Sequence, residues 1–244
     1  METMEGVAAR MMMMPVGDTI SALLGAALSP AAAALADATV NFALVALMWA
    51  VMMVGMMTPS AAPTILLFSA LERKRAATER TGSRIACSVA GYFAIWSAFS
   101  IAAAAAQTAL AHNGFMSMQM ATTSAALGGA VFIAAGLFEF TPFKDRCLVH
   151  CRSPLEWIPH HTRPGRLGAF RMGVEHGAYC VGCCWALMLL LFVGGVMNLV
   201  WVALLATIVL VEKALPGGIR LARFSGLVLV VCGIAILARP LIFA

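Results

Sequence analysis

Residues 176–211 read HGAYCVGCCWALMLLLFVGGVMNLVWVALLATIVLV and contain no Asp, Glu, Lys or Arg. At about 1.5 Å per residue, one helix over this stretch would far exceed the roughly 30 Å hydrocarbon core of a bilayer. Gly194, Gly195 and Asn198 stand in the middle, where a turn is needed. The stretch therefore reads as two antiparallel transmembrane helices closed by a tight hairpin, and that reading sets the class of the whole chain.

Working outward, three more stretches lack charged residues: 38–71, 85–138 and 224–238. The second is long enough for two crossings joined by a loop at 112–122. The expected fold is an all-α, polytopic transmembrane helix bundle of about six spans, at 39–58, 86–108, 122–140, 174–193, 196–213 and 221–239. Composition agrees: 62% of the residues are hydrophobic and 11% charged, against roughly 25% charged in soluble domains. Residues 1–37 form a weakly apolar N-terminal segment; residues 38–244 form one transmembrane domain with a cytoplasmic Cys/His loop at 140–172. A seventh span at 19–36 is left out of the count, because it is Ala-rich, interrupted by Pro30 and closed by Asp18 and Asp37. Arg10 is followed by Met11 to Met14 and Pro15 rather than by the apolar core of a signal peptide, so the first span is expected to direct insertion.

Of 16 basic residues, all but Arg10 and Arg239 fall between spans one and two, three and four, or five and six. The positive-inside bias puts those three loops in the cytoplasm and both termini outside. The outer connections are a loop containing Met116, Met118 and Met120 and the Gly-Gly hairpin, neither of them basic. Cytoplasmic basic loops facing anionic lipid account for the net charge of +5, so no nucleic-acid partner is needed. Pro59 and Pro63 bracket Ser60-Ala61-Ala62, where the first helix is expected to break. Beyond that break the chain forms either a site wall or a short interfacial helix.

The chemistry of the sequence lies in soft side chains. His176, Cys180, Cys183 and Cys184 share one helical face, with an imidazole and up to three sulfurs. Upstream, Cys147 and Cys151 stand four apart with His150 beside them, and the two clusters could converge. In a reducing compartment grouped thiols bind metal or do redox chemistry rather than form structural disulfides. Thiolates and thioethers select Cu(I) or Zn(II), and thioethers in particular favour Cu(I). Met48, Met52 and Met56 lie on one line of the first helix, Met53 and Met57 on the next, with Met188 and Met197 elsewhere. The candidate metal ligands are accordingly Cys147, Cys151, Cys180, Cys183, Cys184, His176, His150, Met52, Met53, Met56 and Met57. A gradient from Met outside to Cys and His inside would draw a soft cation inward. Each feature has an ordinary counterpart: methionine packs readily in cores, and Cys87 and Cys232 read as helix-contact residues. Glu139 and Glu212 are expected to face the bundle, with Glu212 paired to Lys213 or Arg220.

Three segments carry a resemblance to a family: Met48-Trp49-Ala50-Val51-Met52-Met53-Val54-Gly55-Met56-Met57-Thr58-Pro59-Ser60, Lys144-x-x-Cys147-Leu148, and Cys180-Val181-Gly182-Cys183-Cys184-Trp185-Ala186-Leu187-Met188. With Gly194-Gly195-Val196-Met197-Asn198-Leu199 and Glu212-Lys213 they cover about residues 45–239. The chain resembles the bacterial predicted metal-binding integral membrane proteins, a domain-of-unknown-function family sometimes labelled copper chaperone. The resemblance implies a metal-binding membrane protein of the bacterial inner membrane.

The expected function is therefore binding of a soft metal, Cu(I) first and Zn(II) as alternative, for transport or for delivery to a cuproprotein. No catalytic step is required, and the chain is not expected to be an enzyme. One alternative is a thiol-redox membrane protein using Cys180, Cys183 and Cys184; another is a structural or assembly subunit of a larger membrane complex. No phosphate-binding loop, Ser-His-Asp set or paired-carboxylate site is present in the sequence, and an ATP-driven pump is excluded on size and motif.

Overall fold

The computed structural model describes residues 30–75, 79–116 and 122–242. Met118, Met120 and the N-terminal segment up to residue 29, with most of the optional seventh span, lie outside the described residues. In chain order the elements are α1 (Pro30–Arg75), α2 (Glu79–His112), α3 (Ala125–Phe138), α4 (Pro142–Arg152), α5 (Pro154–His161), α6 (Gly165–Leu189), α7 (Leu191–Gly194), α8 (Leu199–Ala214) and α9 (Gly218–Ile242). The described residues are all-α, apart from one isolated bridge between Met116 and Thr122.

Four segments are long and apolar enough to cross a membrane: Ala38–Lys74, Thr81–His112, Gly165–Gly194 and Gly218–Ala238. The pair α3 and α4, bent by 65°, makes a fifth if the two are one broken span. This is fewer than the six expected. The shortfall lies in α8, whose 16 residues extend about 24 Å, and, unless it is joined to α4, in α3, whose 14 residues are shorter still.

Two local expectations are corrected. The first helix does not break at Pro59; α1 runs through Pro59 and Pro63 to Arg75. Thr58 Oγ1 donates to the Val54 carbonyl at 2.5 Å and Ser60 Oγ to the Met57 carbonyl at 3.0 Å, so hydroxyls serve the backbone in the turn that the prolines weaken. Residues 140–172 are not a loop but helices α4 and α5 and the start of α6. The Thr141-Pro142 pair is a helix start: the Thr141 hydroxyl accepts from the Lys144 amide at 3.3 Å, and Pro142 occupies the first turn.

The hairpin is as expected. Gly195 has φ +88°, a conformation costly to any side chain, and Asn198 caps α8 by accepting the Trp201 amide at 3.2 Å. Packing depends on small residues at helix crossings. A Cβ on Gly173 of α6 would overlap the Ser88 carbonyl of α2, so these helices meet backbone to backbone. On the other side of the bundle, Gly136 of α3 lies against Gly226 of α9, and Gly129 against Gly233. The main core gathers Trp49, Met53, Met57, Tyr92, Trp96, Leu187 and the five cysteines of α4 and α6. A smaller core joins Phe68 of α1 to Trp157, Ile158, Ala169 and Met172.

Candidate metal centre

α6 turns His176, Cys180, Cys183 and Cys184 into the bundle, all of them buried. α4 lies along α6 and brings Cys147 and Cys151, also buried. The absence of a side chain at Gly182 makes the approach possible, since a Cβ there would stand 2.9 Å from Cys147 Sγ. Cys183 Sγ is 3.9 Å from Cys151 Sγ. The two cysteine clusters of the sequence thus do converge, inside the bundle rather than in a loop.

Two groups at this cluster were not singled out as site residues from the sequence. Lys213 of α8 places its Nζ 2.9 Å from Cys180 Sγ, and the Tyr92 hydroxyl of α2 lies 3.0 Å from the same sulfur. Four helices therefore meet at one knot of sulfur. The only sequence signal for Lys213 was an ammonium beside Glu212 at the end of a largely apolar helix; Tyr92 is the one tyrosine within the uncharged stretch 85–138.

The remaining sequence candidates scatter. His176 is buried one turn from Cys180, its ring stacked with Tyr92 at 5.4 Å and 5.6 Å from Trp157. His150 stacks on Tyr179 at 4.4 Å, with its Nδ1 2.7 Å from the Arg146 carbonyl. Met53 and Met57 are fully buried in the core that holds the cysteines. Met56 is buried in the same core and, with Met48, Met52 and Met197, also lines a groove between α1 and α8. Cys87 is half-buried beside the smaller core, and Cys232 is exposed on α9.

Next to the sulfur cluster lies a buried ionic triad. Lys144 of α4 bonds to Glu139, in the bend between α3 and α4, and to Glu212 of α8 at 2.8 Å. Ser225 of α9 donates to the second oxygen of Glu212 at 2.8 Å, while Glu139 Oε1 has no partner. Both carboxylates face the bundle, but Glu212 pairs with Lys144 rather than with Lys213 or Arg220. Successive residues on a helix point about 100° apart, so Glu212 serves the triad while Lys213 serves the sulfurs.

Among the described residues no group of three or more His, Cys, Asp or Glu side chains stands in a ready metal-holding arrangement. The reason is visible in the thiols: Cys183 and Cys184 both donate to the Cys180 carbonyl, at 3.1 and 2.9 Å, instead of converging on a shared point. A sulfur donor set suits a soft ion, and Lys213 supplies positive charge against the surplus negative charge of several thiolates around a monovalent cation.

No curated protein and no solved structure matches the chain. The sequence model of the PpoB2 family, described as copper chaperone, matches residues 46–236. That span holds every cysteine of the cluster, Lys213, Tyr92 and the triad, and the chain belongs to this copper chaperone family.

Proposed function

We propose that the chain is a multi-pass protein of the bacterial inner membrane that carries Cu(I) as cargo on Cys151, Cys180, Cys183 and Cys184, and passes it to a cuproprotein without catalysing a reaction. The observation that supports this reading is the gathering of four buried cysteines from two helices beside one lysine, whose Nζ is 2.9 Å from Cys180 Sγ. Soft, polarisable donors outcompete oxygen ligands for Cu(I), and burial withholds the ion from water and from oxidation. Because the thiols bond to one another and to a backbone carbonyl, they exchange partners by side-chain rotation. That suits an ion which must be released as well as held. Cys147, seated on Gly182 beside the cluster, extends the donor set on the α4 side.

The test is anaerobic titration of the purified chain with Cu(I) and with Zn(II) against competing chelators. The C151S/C180S/C183S/C184S variant is compared with C87S/C232S. Tight Cu(I) binding lost only in the first variant is the expected result. Binding of Zn(II) in preference to Cu(I) would change the cargo, and absence of binding would remove the proposal.

The 3.9 Å between Cys151 Sγ and Cys183 Sγ favours one second reading, a thiol–disulfide couple. A disulfide needs about 2.05 Å, so the two sulfurs would have to approach by nearly 2 Å. Thiol counting after mild oxidation separates the two: loss of two thiols with no metal affinity supports the couple.

A further inference from the structure

The groove between α1 and α8 is a cavity of about 990 Å³ whose wall contains no charged or polar side chain. Four of its lining residues are methionines. Met48, Met52 and Met56 come from one face of α1 at successive turns, and Met197 faces them from the turn that carries Gly195. The structure splits the methionines of the first helix into two sets. Met53 and Met57 have no exposure and fill the core, as packing residues do. Met48 and Met52 are only half-buried and Met197 is 55% exposed, while Met56, 5% exposed, is a core residue that lines the cavity as well.

We propose that this groove is a second Cu(I) site, made of the thioethers of Met48, Met52, Met56 and Met197 and separate from the thiol cluster. The inference rests on the Cu(I) reading of that cluster. Thioethers are neutral, select Cu(I) over harder cations, and lose no proton on binding, whereas thiols must be deprotonated to bind. Cu(I) needs few ligands, and the three torsions of methionine let sulfurs from facing elements swing onto one ion. The ion occupies the sulfur-lined wall; lipid fills the rest of the cavity. Met56 lines the groove and is itself buried in the core that holds Cys180 and Cys184. An ion moving from neutral thioethers to charged thiolates gains affinity at each step, so the groove loads and the cluster retains.

The experiment uses the full chain in phosphatidylethanolamine–phosphatidylglycerol nanodiscs, titrated anaerobically with Cu(I) against a chromogenic chelator. Wild type is compared with C151S/C180S/C183S/C184S and with M48L/M52L/M56L/M197L. Wild type is expected to bind two ions. The cysteine variant keeps one, held more weakly, with an affinity that does not change between mildly acidic and neutral pH and is not displaced by Zn(II). The methionine variant keeps only the tight one. If the cysteine variant binds none while wild type binds one, the groove proposal is overturned and the cluster reading stands; if wild type binds none, both fall. A second measurement needs no variant: peroxide footprinting of wild type with and without redox-inert Ag(I). Protection of Met48 and Met197 by Ag(I) supports the site, and equal oxidation with and without Ag(I) refutes it.

Discussion

Lys213 Nζ stands 2.9 Å from Cys180 Sγ, so replacing this lysine removes a positive charge from the sulfur cluster while leaving every sulfur in place. A hydrogen bond to a charged group contributes about 1.5–3 kcal/mol, so K213M is expected to weaken Cu(I) binding roughly 10- to 100-fold without changing its stoichiometry. Chelator competition measures this, and an unchanged affinity would mean that the ammonium is only a packing feature. H150A makes the opposite prediction. His150 contacts Tyr179 and the Arg146 carbonyl, so its loss should leave Cu(I) affinity within about twofold in the same assay. The difference between these two residues shows what a sequence exposes at this scale. The cysteines are legible because helical spacing puts them on one face. Lys213 and Tyr92 are 33 and 88 residues from the sulfur they touch, and no local pattern carries a contact of that range. His150 was named because it adjoins Cys151 in sequence, but on a helix the next residue points elsewhere.

At the scale of elements, the triad of Lys144, Glu139 and Glu212 ties the bend between α3 and α4 to the end of α8. K144M leaves two buried carboxylates facing each other and is expected to cost about 3–5 kcal/mol, seen as loss of folded protein in detergent on thermal challenge. The triple variant K144M/E139Q/E212Q removes the unpaired charges and should recover most of that loss; failure to recover would show that the triad's role is not electrostatic. Helix crossings give a second check. G173A puts a methyl group onto the Ser88 carbonyl and should destabilise by about 1–3 kcal/mol, whereas G82A meets nothing within 4 Å and should be neutral or stabilising, both read by thermal unfolding. The long helices were legible from their runs of uncharged residues. Helices α4 and α5 were not, because their many charged and polar residues read as a loop. The Thr141-Pro142 start and the apolar face of Cys147, Leu148 and Cys151 were the signals that outweighed composition.

At the scale of the molecule, charge and glycine packing together fix which way each helix runs. Glu72 of α1 pairs with Arg84 of α2 at 3.2 Å, Arg84 reaches the Arg163 carbonyl at 2.9 Å, and Arg166 reaches Ser83 at 3.1 Å, so the basic segments gather at one end of the bundle. By the positive-inside bias that end is expected to face the cytoplasm. α3 begins after Ser124 and runs towards this end. Gly136 lies against Gly226 and Gly129 against Gly233, so α9 runs antiparallel to α3 and away from the basic end. α8, though too short for a full crossing, therefore returns the chain from the hairpin to the basic end before α9 begins. The prediction is that Asn113 and the C-terminal end share one side of the membrane, with the turn at Pro216 on the other. Single cysteines at Asn113, at Pro216 and after Ala244 would be placed in a C87S/C232S background and exposed to a membrane-impermeant maleimide in intact cells and in inverted vesicles. The first and third should label in cells, and the second only in inverted vesicles. Labelling of Pro216→Cys in intact cells would mean that α8 does not carry the chain back to the basic end, and would overturn the antiparallel order of α8 and α9 across the membrane.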